Sequence, residues 1–148
     1  MKKFNIRCYG LIINDRRELL LSDEFRFEKS FTKFVGGGLE FGESTKDCLQ
    51  REIREELELD ASIGDLFYVN DFYQVSAFNK NDQMFSFYFF VDKIDCSKII
   101  ANQHSYPLSS DGEKFRWKKI SELTQADVTF PIDKVVIQKL KESSLIDK

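Results

Sequence analysis

The stretch from Gly36 to Leu59 constrains this chain more than any other part of it. Gly36-Gly37-Gly38 is followed by Glu43, then by Arg51-Glu52 and by Glu55-Glu56. The spacing predicts a helix from Ser44 to Glu58, on which each residue advances about 100°. Glu55 then lies about 60° to one side of Glu52 and Glu56 about 40° to the other, so the three carboxylates share roughly a quarter of one helix surface. Carboxylates crowded in this way repel one another unless a cation intervenes. Oxygen-only clusters suit Mg²⁺ or Mn²⁺, and Mg²⁺ commonly works together with substrate phosphates.

The rest of the helix agrees with that placement. Leu49, Ile53 and Leu57 repeat at i, i+4, i+8 and form an apolar stripe centred about 100° from Glu52. The acids therefore border the buried stripe, at the edge of a core or cleft. Ser44 can cap the helix, with Asp47 three residues on in a capping-box arrangement. The preceding glycines let the backbone turn tightly and bring a carbonyl close to a ligand. Three nearby glutamates alone read as a solvated helix face; the glycine loop, Glu43 and Arg51 at fixed offsets argue for a site.

The run resembles the Nudix box, Gly-x5-Glu-x7-Arg-Glu-U-x-Glu-Glu-x-Gly-U with U aliphatic. Gly37, Glu43, Arg51, Glu52, Ile53, Glu55, Glu56 and Leu59 match it. The resemblance implies an α/β fold, a Nudix-type α/β/α sandwich with a mixed β-sheet. It also implies cleavage of the pyrophosphate link of a nucleoside diphosphate joined to some group X, dependent on Mg²⁺ or Mn²⁺. Carried over by position, Glu52 and Glu56 resemble the principal metal ligands, Glu55 a further ligand or base, and Gly36 the backbone carbonyl ligand. Glu43 and Arg51 complete the implied catalytic set by orienting those groups. Two positions depart from the pattern. Glu58 stands at the box glycine, so the helix is expected not to end there in a left-handed cap. Val35 stands where the family often has proline before the glycines.

A length of 148 residues suits one domain spanning 1–148, large enough to bury a core without staples. The mild net charge of −3 argues against a general nucleic-acid binder, and no stable nucleic-acid complex is expected. A single nucleotide remains compatible, since bound cations invert the local field. Cys8, Cys48 and Cys96 are scattered and lack a paired zinc spacing, and read as buried reduced thiols of a cytoplasmic protein. The basic start Met1-Lys2-Lys3 is not followed by a signal-peptide apolar region, and no run is long enough to span a membrane. A homodimer stays open.

Along the chain, residues 4–13 read as a strand ending at an Asn14-Asp15 turn, with Glu18 to Ser22 as its hairpin partner. Phe25 to Phe34 mixes aromatics with charges and leads into the glycine loop. Leu66 to Phe78 reads as a strand bending near Asp71, Met84 to Val91 as a central strand covered on both faces, and Lys114 to Lys118 as a short strand. After Pro131, Ile132 to Lys141 reads as a closing helix with Val135, Val136, Ile137 and Leu140 facing inward.

From Asp92 to Glu113 the chain lacks periodicity, and a connection of that length is often functional. It carries the lone His104, which reads as solvated, and Asp111 and Glu113. Family members resemble one another in often supplying a further acid from this region, and the loop is expected to close over the metal site. Most phenylalanines should be core. Phe25, Phe27 and Phe31 are candidates for stacking on a nucleobase, and Arg26 or Lys33 for reaching a phosphate, although solvated roles suit both cations better. The reading that results is a Mg²⁺-dependent Nudix-type pyrophosphohydrolase acting on a small nucleotide, leaning to an NTP or dNTP. The alternatives are a nucleotide-sugar or ADP-ribose hydrolase, or a non-catalytic nucleotide-binding regulator on the same fold.

Overall fold

The computed structural model describes residues 1–101 and 103–143. The chain folds as two compact units, one of Met1–Leu11 with Val35–Lys98, the other of Ile12–Phe34 with the segment from Ile99 onward.

The first unit is built on a four-stranded mixed sheet in the order β4-β1-β6-β5. Strand β1 (Lys3–Leu11) runs parallel to β6 (Asp82–Lys93) and antiparallel to β4 (Val35–Gly38), while β5 (Ser62–Val69) is antiparallel to β6. The segment expected to be a central strand therefore is one, and the adjacent burial of Tyr88 and Phe89 means that both of its faces are covered there. The strand expected over Leu66 to Phe78 starts earlier, at Ser62, and ends at Val69; beyond it only a single bridge joins Val75 to Gln83. Helix α1 (Thr45–Leu57) packs on β1, β4 and β5. Its Leu49 and Ile53 are fully buried alongside Cys8, Leu11 and Val35, and burial of each of the two helix side chains contributes about 1.5–3 kcal/mol. Cys8 and Cys48 are buried thiols, and Cys96 is half-buried.

The helix ends differently from expectation. Glu58 adopts the left-handed conformation (φ 57°, ψ 36°), and its N–H donates to the Arg54 carbonyl at 3.0 Å. The left-handed cap forms without glycine because the terminal hydrogen bond and the turn into β5 outweigh a penalty of about 1–2 kcal/mol for an L-residue there.

The second unit carries an antiparallel sheet in the order β3-β2-β7, made of β2 (Glu18–Arg26), β3 (Lys29–Lys33) and β7 (Gly112–Lys119). Helix α2 (Pro131–Glu142) starts with proline in its first turn and buries Ile132, Val136, Ile137 and Leu140; Val135, expected to face inward, is half-buried. The core of this unit also holds Leu19, Leu20, Leu21, Phe34 and Leu123. The expected hairpin of residues 4–13 with 18–22 does not extend beyond its turn. Both hydrogen-bonding edges of β1 are taken, by β4 and β6, so β2 pairs with β3 and β7 and keeps only a bridge from Leu19 to Ile13. Among the described residues no helix is long and apolar enough to cross a membrane.

Candidate active site

Helix α1 begins as its sequence specifies. The Asp47 N–H donates to Ser44 Oγ at 3.0 Å and the Ser44 N–H donates to the Asp47 carboxylate at 3.1 Å, a reciprocal capping box. Two turns on, Arg51 is the hub of a polar cluster. Its Nε donates to Glu43 Oε2 at 2.6 Å and its Nη2 to Glu43 Oε1 at 3.0 Å, a bidentate pair. Its Nη1 donates to Glu52 at 3.0 Å and to Glu55 at 3.3 Å, and its Nη2 also reaches the Gly38 carbonyl at 2.9 Å. The Arg51 guanidinium beside Glu43 holds that carboxyl below its ordinary range, and Glu43, followed by Glu52, raises the affinity of Arg51 for its proton. The side chain of Glu52 is 14% exposed and that of Glu55 is 59% exposed, so the cluster runs from the edge of the core out to solvent.

The glycine loop is shaped by two close approaches. Gly36 has φ 149°, and a Cβ there would collide with the Cys8 carbonyl oxygen. Gly37 lies against the Glu52 carboxylate, and a Cβ would fall within contact of all three of its terminal atoms. Only glycine lets the loop and this carboxylate share the space. Cys48 Sγ, on the first turn of α1, lies 3.4 Å from the Gly38 carbonyl oxygen and tethers the same loop.

Glu43, Glu52 and Glu55 are thus brought together around Arg51, with the Gly38 carbonyl, while Glu56 is half-buried on the same helix. Among the described residues no three His, Cys, Asp or Glu side chains converge as one metal shell. Glu52 and Glu55 are instead turned to the guanidinium, which supplies the positive charge between them.

The second unit holds a polar network that its sequence did not announce. Asp23 on β2 is 1% exposed. It accepts from Arg116 Nε at 2.7 Å and from Thr32 Oγ1 at 2.5 Å, and His104 Nε2 lies 2.8 Å from its Oδ2. Burial alone would push its pKa up, but the hydrogen bonds from Arg116, Thr32 and His104 overcome that and hold it below its ordinary value. Arg116 also lies 3.7 Å over the Tyr106 ring. His104, expected in solvent, is half-buried instead, its side chain covered as the partner of an acid 81 positions away. On alternate positions of β2, Ser22 Oγ lies 3.0 Å from both the Glu24 and the Glu113 carboxylates, and Lys33 Nζ pairs with Glu24 at 2.9 Å. Burial, then the hydrogen bond and charge of Glu24, raise the Glu113 pKa. At Glu24 burial also pushes upward, but the charge and hydrogen bond of Lys33, the Glu113 hydrogen bond and the Arg26 charge together outweigh it and lower the pKa.

These contacts revise several expectations. Lys33 is a buried ion-pair partner and not a solvated cation, while Arg26 is exposed and pairs with the same Glu24 at 3.2 Å. Phe31 is buried against Phe130, Phe25 is half-buried and Phe27 is 78% exposed. Asp111 is exposed, and Glu113 lies in β7 opposite Glu24. A buried Asp or Lys on a short strand leaves no local sequence signal, because its partners lie in distant segments.

A NUDIX domain model matches residues 3–140. The chain belongs to the Nudix family. No curated protein matches it. Among solved structures it is similar to the MutT protein of Methanosarcina mazei Go1, at 20% identity over 95% of each chain with a TM-score of 0.69. It is also similar to a NUDIX hydrolase from Nitrosomonas europaea, at 23% identity over 95% of this chain and 90% of that one, TM-score 0.65. The E. coli ORF135 protein shares 19% identity over 93% of this chain and 88% of that one, TM-score 0.67. The fold is accordingly the Nudix-type α/β/α sandwich with a mixed sheet. As a Nudix hydrolase the protein is an enzyme acting on nucleoside diphosphate derivatives, small-molecule nucleotide substrates, in a family that generally uses divalent metal cations. The donor chemistry of α1 fits such a cation. The oxygen groups around the glycine loop are carboxylates and backbone carbonyls, and Glu52 is cradled against the bare Cα of Gly37.

Proposed function

We propose that the protein is a Mg²⁺- or Mn²⁺-dependent pyrophosphohydrolase whose substrate is a small nucleotide, with a nucleoside or deoxynucleoside triphosphate favoured over a nucleotide sugar or ADP-ribose. The same reading takes residues 1–148 as one Nudix domain working in the cytoplasm. The supporting observation is the cluster in which Arg51 joins Glu43, Glu52 and Glu55 beside the glycine loop. Glu52 and Glu56, with Glu55 and the Gly36 carbonyl, are the groups that would hold the cations. When bound, divalent cations neutralise diphosphate charge and lower the pKa of a coordinated water.

The chain's own residues divide the remaining work. Arg51 is a positioning residue, because its bidentate grip on Glu43 fixes the guanidinium from which Glu52 and Glu55 take their directions. Glu55, the more exposed of these two partners, accepts the proton released by the attacking water. Gly37 keeps the loop close enough for the diphosphate to approach Glu52. Attack at the α-phosphorus breaks the P–O–P link and yields a nucleoside monophosphate, with pyrophosphate as the second product from a triphosphate.

A hydrolysis panel over nucleoside triphosphates, deoxynucleoside triphosphates, nucleotide sugars and ADP-ribose, read by product chromatography, tests the substrate class. Turnover should require the divalent cation, and Glu52→Gln should lower it on the order of a hundredfold or more while leaving the thermal midpoint nearly unchanged. Full Mg²⁺-dependent activity in that variant would overturn the role given to Glu52. Nucleotide uptake without release of any product would overturn hydrolysis itself.

A further inference from the structure

The second unit contains a cavity of about 270 Å³ walled by Arg16, Arg17, Lys119 and Lys141, with Ile120, Ser121 and Leu140 completing the wall. Among the described residues its lining includes four cations and no acid. Lys141 has an ordinary explanation. It lies in the last turn of α2, where a cation offsets the helix dipole, and its Nζ donates to the Ile120 and Ser121 carbonyls at 3.4 and 3.2 Å. The other three have none. Among the described residues, the side chains of Arg16, Arg17 and Lys119 have no carboxylate partner. The acid that follows Arg17 in sequence, Glu18, accepts instead from Asn14 Nδ2 at 2.9 Å.

The turn that delivers the two arginines is hydrogen-bonded within itself and strained. Asn14 Oδ1 accepts from the Arg16 and Glu18 N–H groups, each at 3.0 Å. The Arg17 N–H donates to the Asn14 carbonyl at 3.1 Å, and the Arg17 carbonyl accepts from Ile120 N at 3.0 Å. Arg17 itself has φ 59°, a conformation that glycine or asparagine adopts more easily. An arginine held in that conformation at the rim of a cationic cavity is a local conflict of the kind that marks function. Gathering four like charges around one cavity raises the energy of the free protein, and a bound polyanion relieves it.

We infer that this cavity is a second anion site, which takes a phosphoryl oxyanion of diphosphate size through Arg16, Arg17 and Lys119. Guanidinium groups match phosphate oxygens with paired, charge-assisted hydrogen bonds. The volume lies just below the ≈300 Å³ at which pockets begin to enclose a complete organic ligand, so the occupant is the phosphate moiety and not a whole nucleotide. The inference does not depend on the proposed reaction, since its residues lie outside the Gly36–Leu59 segment.

The test is titration of the full-length protein with inorganic pyrophosphate in excess chelator, followed by backbone amide NMR and calorimetry. Without divalent cations the α1 carboxylates repel the anion, so binding there does not contribute. Amide shifts should cluster at residues 16–18, 119–121 and 140–142, and Arg16→Gln/Lys119→Gln should weaken binding about tenfold. Glu52→Gln should bind as the parent does. Parallel titrations with orthophosphate and ADP identify the source, since ADP shifting the same amides points to the diphosphate end of a nucleotide. No heat and no shifts in the parent protein, shifts centred on α1, or undiminished binding by the double variant would each overturn the site. Should the double variant fold poorly, the shift map of the parent protein still decides.

Discussion

Each unit of this protein contains an arginine held by carboxylate, and the two arrangements are built in opposite ways. Arg51 sits on a helix with its carboxylate partners drawn from residues 40–55, and the outermost of them, Glu40 and Glu55, are mostly exposed. Arg116 sits on a strand, and its partner Asp23 lies 93 positions away and is 1% exposed. The first cluster keeps its acids where a cation or a phosphate can reach them. The second surrounds its acid with Arg116, Thr32 and His104 until no further bond is needed. A half-solvated ion pair adds little stability, whereas a buried one is costly to break because it leaves a charge without its partner. The same residue types therefore serve binding in one place and fixation of the backbone in the other.

The largest test of this contrast is paired replacement of the hubs. Arg116→Met should cost about 3–5 kcal/mol in the urea denaturation free energy, through the stranded Asp23 carboxylate. Arg51→Met should cost less than about 1 kcal/mol, yet lower turnover on the order of tenfold or more by misplacing Glu52 and Glu55. Equal stability losses would erase the distinction. A smaller effect concerns pH. The Glu113 pKa is raised above its ordinary 4.5 by burial and by Glu24, so the stabilisation due to its protonated form is complete below that value and disappears as pH rises through the folded pKa. Wild type should therefore lose stability relative to Glu113→Gln as pH climbs from 4.5, with a slope of at most about 1.4 kcal/mol per pH unit. Denaturation midpoints that stay parallel across that range would show that Glu113 ionises freely. The lowered pKa of Asp23 acts at the acid end in both proteins and cancels in the comparison; that of Glu24, which Glu113 helps to lower, lies below 4.5 and outside the range compared. The smallest effect is at the end of α1, where Glu58→Gly should raise stability by under about 1 kcal/mol, seen as a slightly higher thermal midpoint.

The sequence by itself determined the parts whose partners are close along the chain. The capping box of Ser44 and Asp47, the buried stripe of Leu49 and Ile53, and the meeting of Glu43, Arg51, Glu52 and Glu55 all follow from helical spacing and a short loop. Strands β6 and β7 and helix α2 were legible from apolar runs and from Pro131. The hairpin between β2 and β3 was not, because Phe27 and Glu28 take the left-handed turn positions (φ 52° and 61°) that Asn-Gly would have advertised. Only the tertiary structure decided that β1 pairs with β4 and β6 rather than with β2, since competition for a strand's two edges is settled by the whole sheet. It alone also decided the burial of the His104 side chain, Lys33 and Asp23. A charged side chain on a strand reads as solvated until the segments that neutralise it, tens of residues away, have folded against it.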